Sequence, residues 1–386
     1  MKKIFLTGGT GFVGSNIAYQ LLKLGYKVIF LVREVAGIAA DRRLSDTLKV
    51  IDPDFDLEKY SYKIVAGDIC LPNLGICADE RNSLKADKPD SIFHCAGSIM
   101  FSEKEANTTW EINVEGTRKI ITFASNIGIN RIHHISTAYV VGSSEGICIE
   151  KIGEYPNNHF NNPYEKTKFQ AEIEIAESGL AYSIYRPSII IGRTIDGSTL
   201  SFGGYYGYLF PFWKLRERIL QGINDEPKKY LTAGIKLVSA SLVLPVAVKY
   251  FWKTTLNLIP VDWFAETVIK LSMQSLGSGR VFNLTHPVPL PIKDAIADSL
   301  DIIGIQGVQF VDPDVNLKVE NKLLSNIQRM IDGGINEYIP YTTQKHAFDD
   351  FNVKALLNSS YKPPSQIDRR FLERTLTYAI AHNFKR

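Results

Sequence analysis

A short apolar strand running straight into a glycine-rich turn is the strongest constraint this chain places on its own fold. Residues 4–7 (Ile, Phe, Leu, Thr) read as a buried strand, and Gly8, Thr10, Gly11, Phe12, Val13 and Gly14 follow at once. Residues 12–24 carry the apolar spacing of a helix, with Gly25 placed to stop it. In such a strand–turn–helix the glycines meet three needs. Gly8 allows the tight turn, Gly11 lets a pyrophosphate approach the backbone, and Gly14 lets helix and strand pack closely. The helix N-terminus adds free N–H groups and a dipole that favours an anion. A glycine spacing alone is weak, but the flanking strand and helix make this one a dinucleotide-binding signal.

Strand-like and helix-like segments keep alternating over the first 190 residues. Strands are predicted at 27–32, 62–66, 91–95 and 131–136 and from 182–185, with helices at 107–125 and 164–176. Short apolar strands between helices imply a parallel sheet covered on both faces. The expected class is α/β, a Rossmann-type doubly wound parallel sheet with a smaller C-terminal substrate-binding subdomain. The 386 residues exceed what one such sheet needs. The cofactor domain is expected to take residues 1–192 with returning segments near 255–290. Residues 193–254 and 291–386 are left for a substrate cap and tail. Regularity fades after 192. Six aromatics crowd into 203–213, and 237–248 is apolar. Both segments suit a lipid or aryl pocket, and both suit plain core packing. A helix at 262–275 with Asp262 as N-cap, a strand at 280–285 and a last helix near 365–381 complete the reading.

Composition excludes several classes. At 45% hydrophobic and 22% charged the chain is an ordinary globular one, not a disordered one. A net charge of +3 rules out nucleic-acid binding driven by overall charge. The four cysteines, Cys70, Cys77, Cys95 and Cys148, match no zinc spacing, so reduced thiols and a cytoplasmic setting are expected. Glycine arrives at position 8, before a signal-peptide core can form. The longest apolar run falls short of the roughly 18–20 residues of a membrane span, so no transmembrane segment is expected.

The end of the second strand bears on the choice of cofactor. Glu34 suits a ribose 2′-OH, and Arg33 suits a 2′-phosphate. Arg33 directly ends the apolar run and Arg42 and Arg43 lie downstream, which favours NADP(H); otherwise Arg33 is a plain surface residue. Asp68, beside Ile69, can accept a bond from an adenine amino group or be an ordinary loop carboxylate. His94, Cys95, Ala96 and Gly97 end the fourth strand with small residues, where a cofactor would press on the backbone. His94 and His134 read better as satisfied strand residues than as catalysts. Three Tyr-x-x-x-Lys pairs occur, at 19/23, 164/168 and 341/345. Each pair shares a helix face if helical. Only Tyr164 and Lys168 open the helix after the fifth strand.

These segments resemble the extended short-chain dehydrogenases/reductases. Within them the chain is most similar to the branch of thioester reductase domains, carboxylic acid reductases and fatty acyl-CoA reductases. The likeness rests on Leu31-Val32-Arg33 with Arg43-Leu44, His94-Cys95-Ala96, Ile112-Asn113-Val114-Glu115-Gly116-Thr117, His134 to Tyr139, Tyr164 to Lys168, Arg186-Pro187-Ser188 and Pro260-Val261-Asp262. It covers about residues 1–285. The resemblance implies Tyr164 as proton donor, with Lys168 lowering its pKa from about 10 and holding the nicotinamide ribose. It implies Thr137 on the substrate oxygen and Asn113 supporting a helical turn near the cofactor. Pro187 would set backbone beside the nicotinamide amide, and Ile189 is counted with the cofactor-binding residues. The implied activity is NADPH-dependent reduction of an acyl thioester, carried by CoA or an acyl or peptidyl carrier protein, or of a related aldehyde. Lys214, Arg216 and Arg218, or Arg369, Arg370 and Arg374, are available to phosphopantetheine or an acidic carrier, or form solvated helix faces. A nucleotide-sugar epimerase or dehydratase uses the same Tyr, Lys and Thr, and a non-catalytic NADP-binding sensor is the third alternative.

Overall fold

The computed structural model describes residues 1–386 apart from 36, 154, 156–158, 275–278, 317 and 386. Packing divides the chain into two units. The first holds Met1–Ile190, Ile259–Thr285 and Ala347–Pro364; the second holds Ile191–Leu258, His286–His346 and Ser365–Arg386. Residues 347–364, read from the sequence as tail, therefore pack with the first unit.

The first unit is built on strands β1 (Lys3–Thr7), β2 (Lys27–Val32), β3 (Tyr62–Ala66), β4 (Ser91–His94) and β5 (Arg131–Ile135). A short β6 (Gly146–Cys148) lies outside the main sheet, and β7 (Ala181–Pro187) rejoins it. The seven-stranded order is Arg280–Leu284, β7, β5, β4, β1, β2, β3, with every pair parallel. The order reverses direction between β1 and β4, the switch point of a doubly wound sheet, where loops at the carboxyl ends of the strands open a crevice. Side chains alternate across the sheet. Leu6, Phe30 and Phe93 enter one core, while Phe5, Ile29, Leu31 and Ile92 enter the other. Burial on both faces is why these strands read as nearly unbroken apolar runs.

Helices α1 (Phe12–Lys23), α2 (Ala40–Ile51), α3 (Ala78–Asp87), α4 (Ala106–Trp110), α5 (Gly116–Ile127) and α6 (Pro163–Glu177) fill the connections. Helix α1 buries Ile17 and Leu21 in a core shared with Phe264 and Val268 of helix Val261–Ser272. Gly25 ends α1 at φ +79°, its N–H on the Leu22 carbonyl and that of Tyr26 on Leu21. Between α4 and α5, Glu111–Glu115 forms a π turn, so the helix expected over 107–125 carries a wide turn in its middle.

Two boundaries differ from expectation. The helix expected over 262–275 is Val261–Ser272 with Pro260 as N-cap; Asp262 sits in its first turn, facing the positive end of the dipole, and Ser275 lies outside the described residues. The last helix is Arg369–Ala381, opened by Asp368 Oδ1 accepting the Phe371 N–H at 2.8 Å.

In the second unit the aromatic segment is helical. Tyr205–Gly222 buries Tyr205, Tyr206, Tyr208, Leu209, Phe212, Leu215 and Ile219 despite Pro211 inside it. Tyr205 Oη meets Ser299 Oγ at 2.7 Å, and Tyr206 Oη accepts the Gly192 N–H at 2.9 Å. These residues therefore serve packing. The 237–248 run splits into short strands, with Leu237 and Val238 exposed.

Candidate active site

The residues singled out from the sequence for catalysis and cofactor binding lie in the first unit, and most follow the carboxyl ends of parallel strands. Gly8 adopts φ +74°, open to glycine at little cost. A Cβ there would stand 2.6 Å from the Ala96 N, so β1 and the segment after β4 meet backbone to backbone. A Cβ on Gly14 would strike the Gly8 carbonyl, which is the close helix–strand packing expected of that position. Gly11 is exposed, and a Cβ on it would meet only the Gly8 carbonyl, at 3.2 Å. As N-cap of α1 it offers no side-chain cap, and the first turn, Phe12, Val13 and Gly14, holds no acidic residue. The helix start thus keeps the anion-binding character of an uncapped N-terminus. Thr10 flanks this turn, partly buried.

At the end of β2 Arg33 is exposed, and Arg43 of α2 donates from Nη1 to the Arg33 carbonyl at 2.7 Å. Two guanidinium residues are thereby tied to one place. Arg42 instead faces Asp46 at 3.8 Å. Asp68 Oδ1 accepts the Cys70 N–H at 2.9 Å, and Ile69 is buried against Gly116.

After β4 the backbone is held by hydroxyls. Thr7 Oγ1 accepts the Ala96 N–H at 3.2 Å and meets His94 Nδ1 at 2.9 Å, while His94 Nε2 meets Thr117 Oγ1 at 3.1 Å. His94 is therefore the satisfied strand residue expected. Both ring nitrogens of buried His134 lack a partner among the described residues. Burial keeps both rings neutral, pushing His94 down to about 3 and His134 well below its usual range. Asn113, inside the π turn, accepts the Ser98 N–H at 2.7 Å and donates to the Ser98 carbonyl at 3.0 Å and to Thr167 Oγ1 at 2.9 Å. It braces the chain after β4 against α6.

Helix α6 carries Tyr164 and Lys168 on one face. Thr137, two residues after β5, caps the turn Ala138–Val141, and its hydroxyl acts on the Tyr164 phenol. The Tyr164 ring lies 5.8 Å from that of Phe101. Lys168 Nζ donates to the Ile135 carbonyl at 2.8 Å, and a Cβ on Gly97 would stand 3.1 Å from both Nζ and Asn113 Oδ1. Thr137, Tyr164, Lys168, Asn113 and Gly97 are thus brought together. The expectation that Lys168 lowers the Tyr164 pKa is not met. Loss of water around the phenol pushes it up to about 12, and the Thr137 hydroxyl only partly offsets this. Burial brings Lys168 itself down to about 8. Such a phenol keeps its proton at neutral pH, the state a proton donor needs.

Pro187 ends β7, buried, and Ile189 follows in a short strand. The rival pairs differ. Tyr19 of α1 bonds Asp52, with Lys23 over its ring, and helix Ile339–Thr343 ends before Lys345. Thr7, Ser98, Thr167 and Glu172 were missed by sequence reasoning; Glu172 had a signal, four residues beyond Lys168 on the same face. In the second unit, Arg216 is engaged with the Gly304 carbonyl and Glu217, and Arg369 bridges Asp298, Asp301 and Glu373. The described residues hold no metal-binding cluster and no helix long and apolar enough to cross a membrane.

Residues 6–268 match an NAD-binding family model described as male sterility protein. The chain is 30% identical over 227 residues to fatty acyl-CoA reductase wat of Drosophila melanogaster, covering 49% of this chain and 43% of that one. It is 29% identical over 328 residues to fatty acyl-CoA reductase 1 of Rattus norvegicus, covering 73% and 56%. The chain thus spans about half the length of these relatives. The fold is similar to that of the terminal R domain from the myxalamid PKS-NRPS biosynthetic pathway, with TM-score 0.74 and 19% identity over 100% of this chain and 92% of that one.

Proposed function

The chain belongs to the male sterility protein family, in the reductase branch of the extended short-chain dehydrogenases/reductases, and on that footing we propose that it is an NADPH-dependent reductase of an acyl thioester or a related aldehyde. The observation that carries the reading is the Thr137 hydroxyl beside the buried Tyr164 phenol, with Lys168 one turn on and its Nζ on the Ile135 carbonyl. Gly8, Gly11, Gly14 and the uncapped start of α1 fit a pyrophosphate, since the cradle lacks side chains where one would lie. Arg33, with Arg43 behind it, suits a 2′-phosphate. Asp68 and Ile69 flank the adenine side. Ala96, Gly97, Asn113, Lys168, Pro187 and Ile189 would border the nicotinamide riboside.

When bound, NADPH would supply the hydride that the carbonyl carbon takes up. The Thr137 and Tyr164 hydroxyls meet the negative charge that grows on the carbonyl oxygen. Tyr164 then gives that oxygen its proton. Lys168 holds a positive charge near the phenolate left behind. With a thioester, the resulting hemithioacetal loses its thiol and leaves an aldehyde; a second reduction gives the alcohol. The acyl class is supported by two relatives named as fatty acyl-CoA reductases.

The test follows absorbance of NADPH and NADH with acyl-CoA, acyl-carrier, aldehyde and UDP-sugar substrates. Oxidation of NADPH by a long-chain or aryl acyl thioester is expected; NADH preference or turnover of sugars alone overturns the reading. Tyr164→Phe is expected to lower kcat by about 100-fold or more with cofactor affinity nearly intact. Survival of activity would remove Tyr164 from its role.

A further inference from the structure

Behind the Thr137–Tyr164–Lys168 group lies a buried ion pair that the chemistry above does not use. Glu172 of α6 and Arg186 of β7 are both fully buried, with Oε2 and Nη2 2.5 Å apart and Nε donating to Oε1 at 2.9 Å. The remaining guanidinium donors go to the Ile149 carbonyl at 3.1 Å, Tyr155 Oη at 2.6 Å and the Lys151 carbonyl at 2.8 Å. All five donors of Arg186 are thus engaged. Glu172 Oε1 also accepts the Ser136 hydroxyl at 2.5 Å. Ser136 directly precedes Thr137, and Glu172 stands one helical turn beyond Lys168.

We propose that Glu172, clamped by Arg186, is a positioning residue for the reacting groups: it fixes Ser136, and with it the turn that aims the Thr137 hydroxyl, and it supplies the standing negative charge behind Lys168. A buried ion pair is a poor source of net stability, because desolvation offsets the attraction. A role in orientation gives this one a purpose. The inference rests on the reductase reading for what Thr137 and Lys168 do, but not for the contacts themselves.

The titratable groups that act on Lys168 are His94 of β4, Cys95 after it, His134 of β5, and Glu172 on its own helix. Burial keeps the histidines neutral and pushes the Cys95 thiol up to about 12. Glu172 is the carboxylate in that set, and it raises the proton affinity that burial lowers.

The experiment titrates the Lys168 13Cε resonance in the full chain without cofactor, assigned by its loss in Lys168→Met. Glu172→Gln is expected to move the midpoint down by about one pH unit, and Glu172→Asp to retain much of the wild-type value. If Glu172→Gln does not fold around an uncompensated Arg186, the double variant Glu172→Gln/Arg186→Met replaces it, with the same direction expected. Ser136→Ala should leave the titration unchanged and lower kcat about tenfold at constant KM and cofactor Kd. An unmoved midpoint in a folded Glu172 variant, or wild-type kcat in Ser136→Ala, overturns the proposal. If no acyl thioester is reduced by the wild type, the reductase reading fails and the titration alone decides the role of Glu172.

Discussion

Lys168 sets the cost of desolvation against its proposed role within one side chain. Burial lowers its pKa from 10.5 to about 8. Between those values the unfolded chain binds a proton that the folded chain has released, so stability rises with pH across that window. Below about pH 8 both states are charged, and a penalty of about 3 kcal/mol stands in full. Lys168→Met removes the penalty and the bond to the Ile135 carbonyl, itself worth about 1 kcal/mol. Urea denaturation at pH 7 is therefore expected to show the variant about 2 kcal/mol more stable, with turnover lost and the rise between pH 8 and 10.5 gone. Equal stability at pH 7 would show that the ammonium is better solvated than its surroundings imply. At the other end of the site, Arg33→Ala is expected to weaken NADPH about 10- to 100-fold, the worth of a charge-assisted bond, and NADH hardly at all. Fluorescence titration with both cofactors reads this directly, and equal losses for the two would place Arg33 away from a 2′-phosphate.

Helix α6 shows how an element is set by its ends. Asn162 Oδ1 accepts the Glu165 N–H at 3.0 Å, Glu165 Oε2 returns to the Asn161 N–H at 2.8 Å, and Pro163 occupies the first turn. Tyr164 is thus held two residues from a cap. Asn162→Ala is expected to cost about 1 kcal/mol, seen as a fall in Tm, while Asn162→Asp, which keeps the acceptor, retains stability. An unchanged Tm in the alanine variant would mean that packing alone fixes the helix start. Elements of this kind were legible in the sequence, because a cap, a proline and an apolar period coincide. Helix Tyr205–Gly222 was not. Gly207 and Pro211 interrupt it, and aromatics on several sides blur the period; Gly207 leaves room for the Tyr338 hydroxyl, a contact 131 residues away in sequence. The π turn at Glu111–Glu115 was equally hidden, and the partners of Asn113 within it, Ser98 and Thr167, lie 15 and 54 residues away in sequence.

Across the whole molecule each unit is assembled from three stretches of chain, so neither can be removed by a single cut. Helix Arg369–Ala381 buries Phe371, Leu372 and Leu376 in the second unit. At about 2 kcal/mol for each buried side chain, their loss is comparable to the stability of an ordinary domain. A chain ending at Pro364 is expected to lose hydrogen-exchange protection over 191–258 and 286–346 while keeping it in β1, β4 and β5. Protection retained in 191–258 would show that this helix is dispensable.

The sequence by itself determined the alternating strands and helices and the glycine turn, and it singled out Tyr164 and Lys168 as the candidate pair among three. Each is a local pattern or a position along the chain. Tertiary structure alone decided the raised Tyr164 phenol, the lowered Lys168 ammonium and the Glu172–Arg186 pair behind them. Proton affinity depends on which groups and how little water surround an atom, and those neighbours come from strands and helices far apart in sequence.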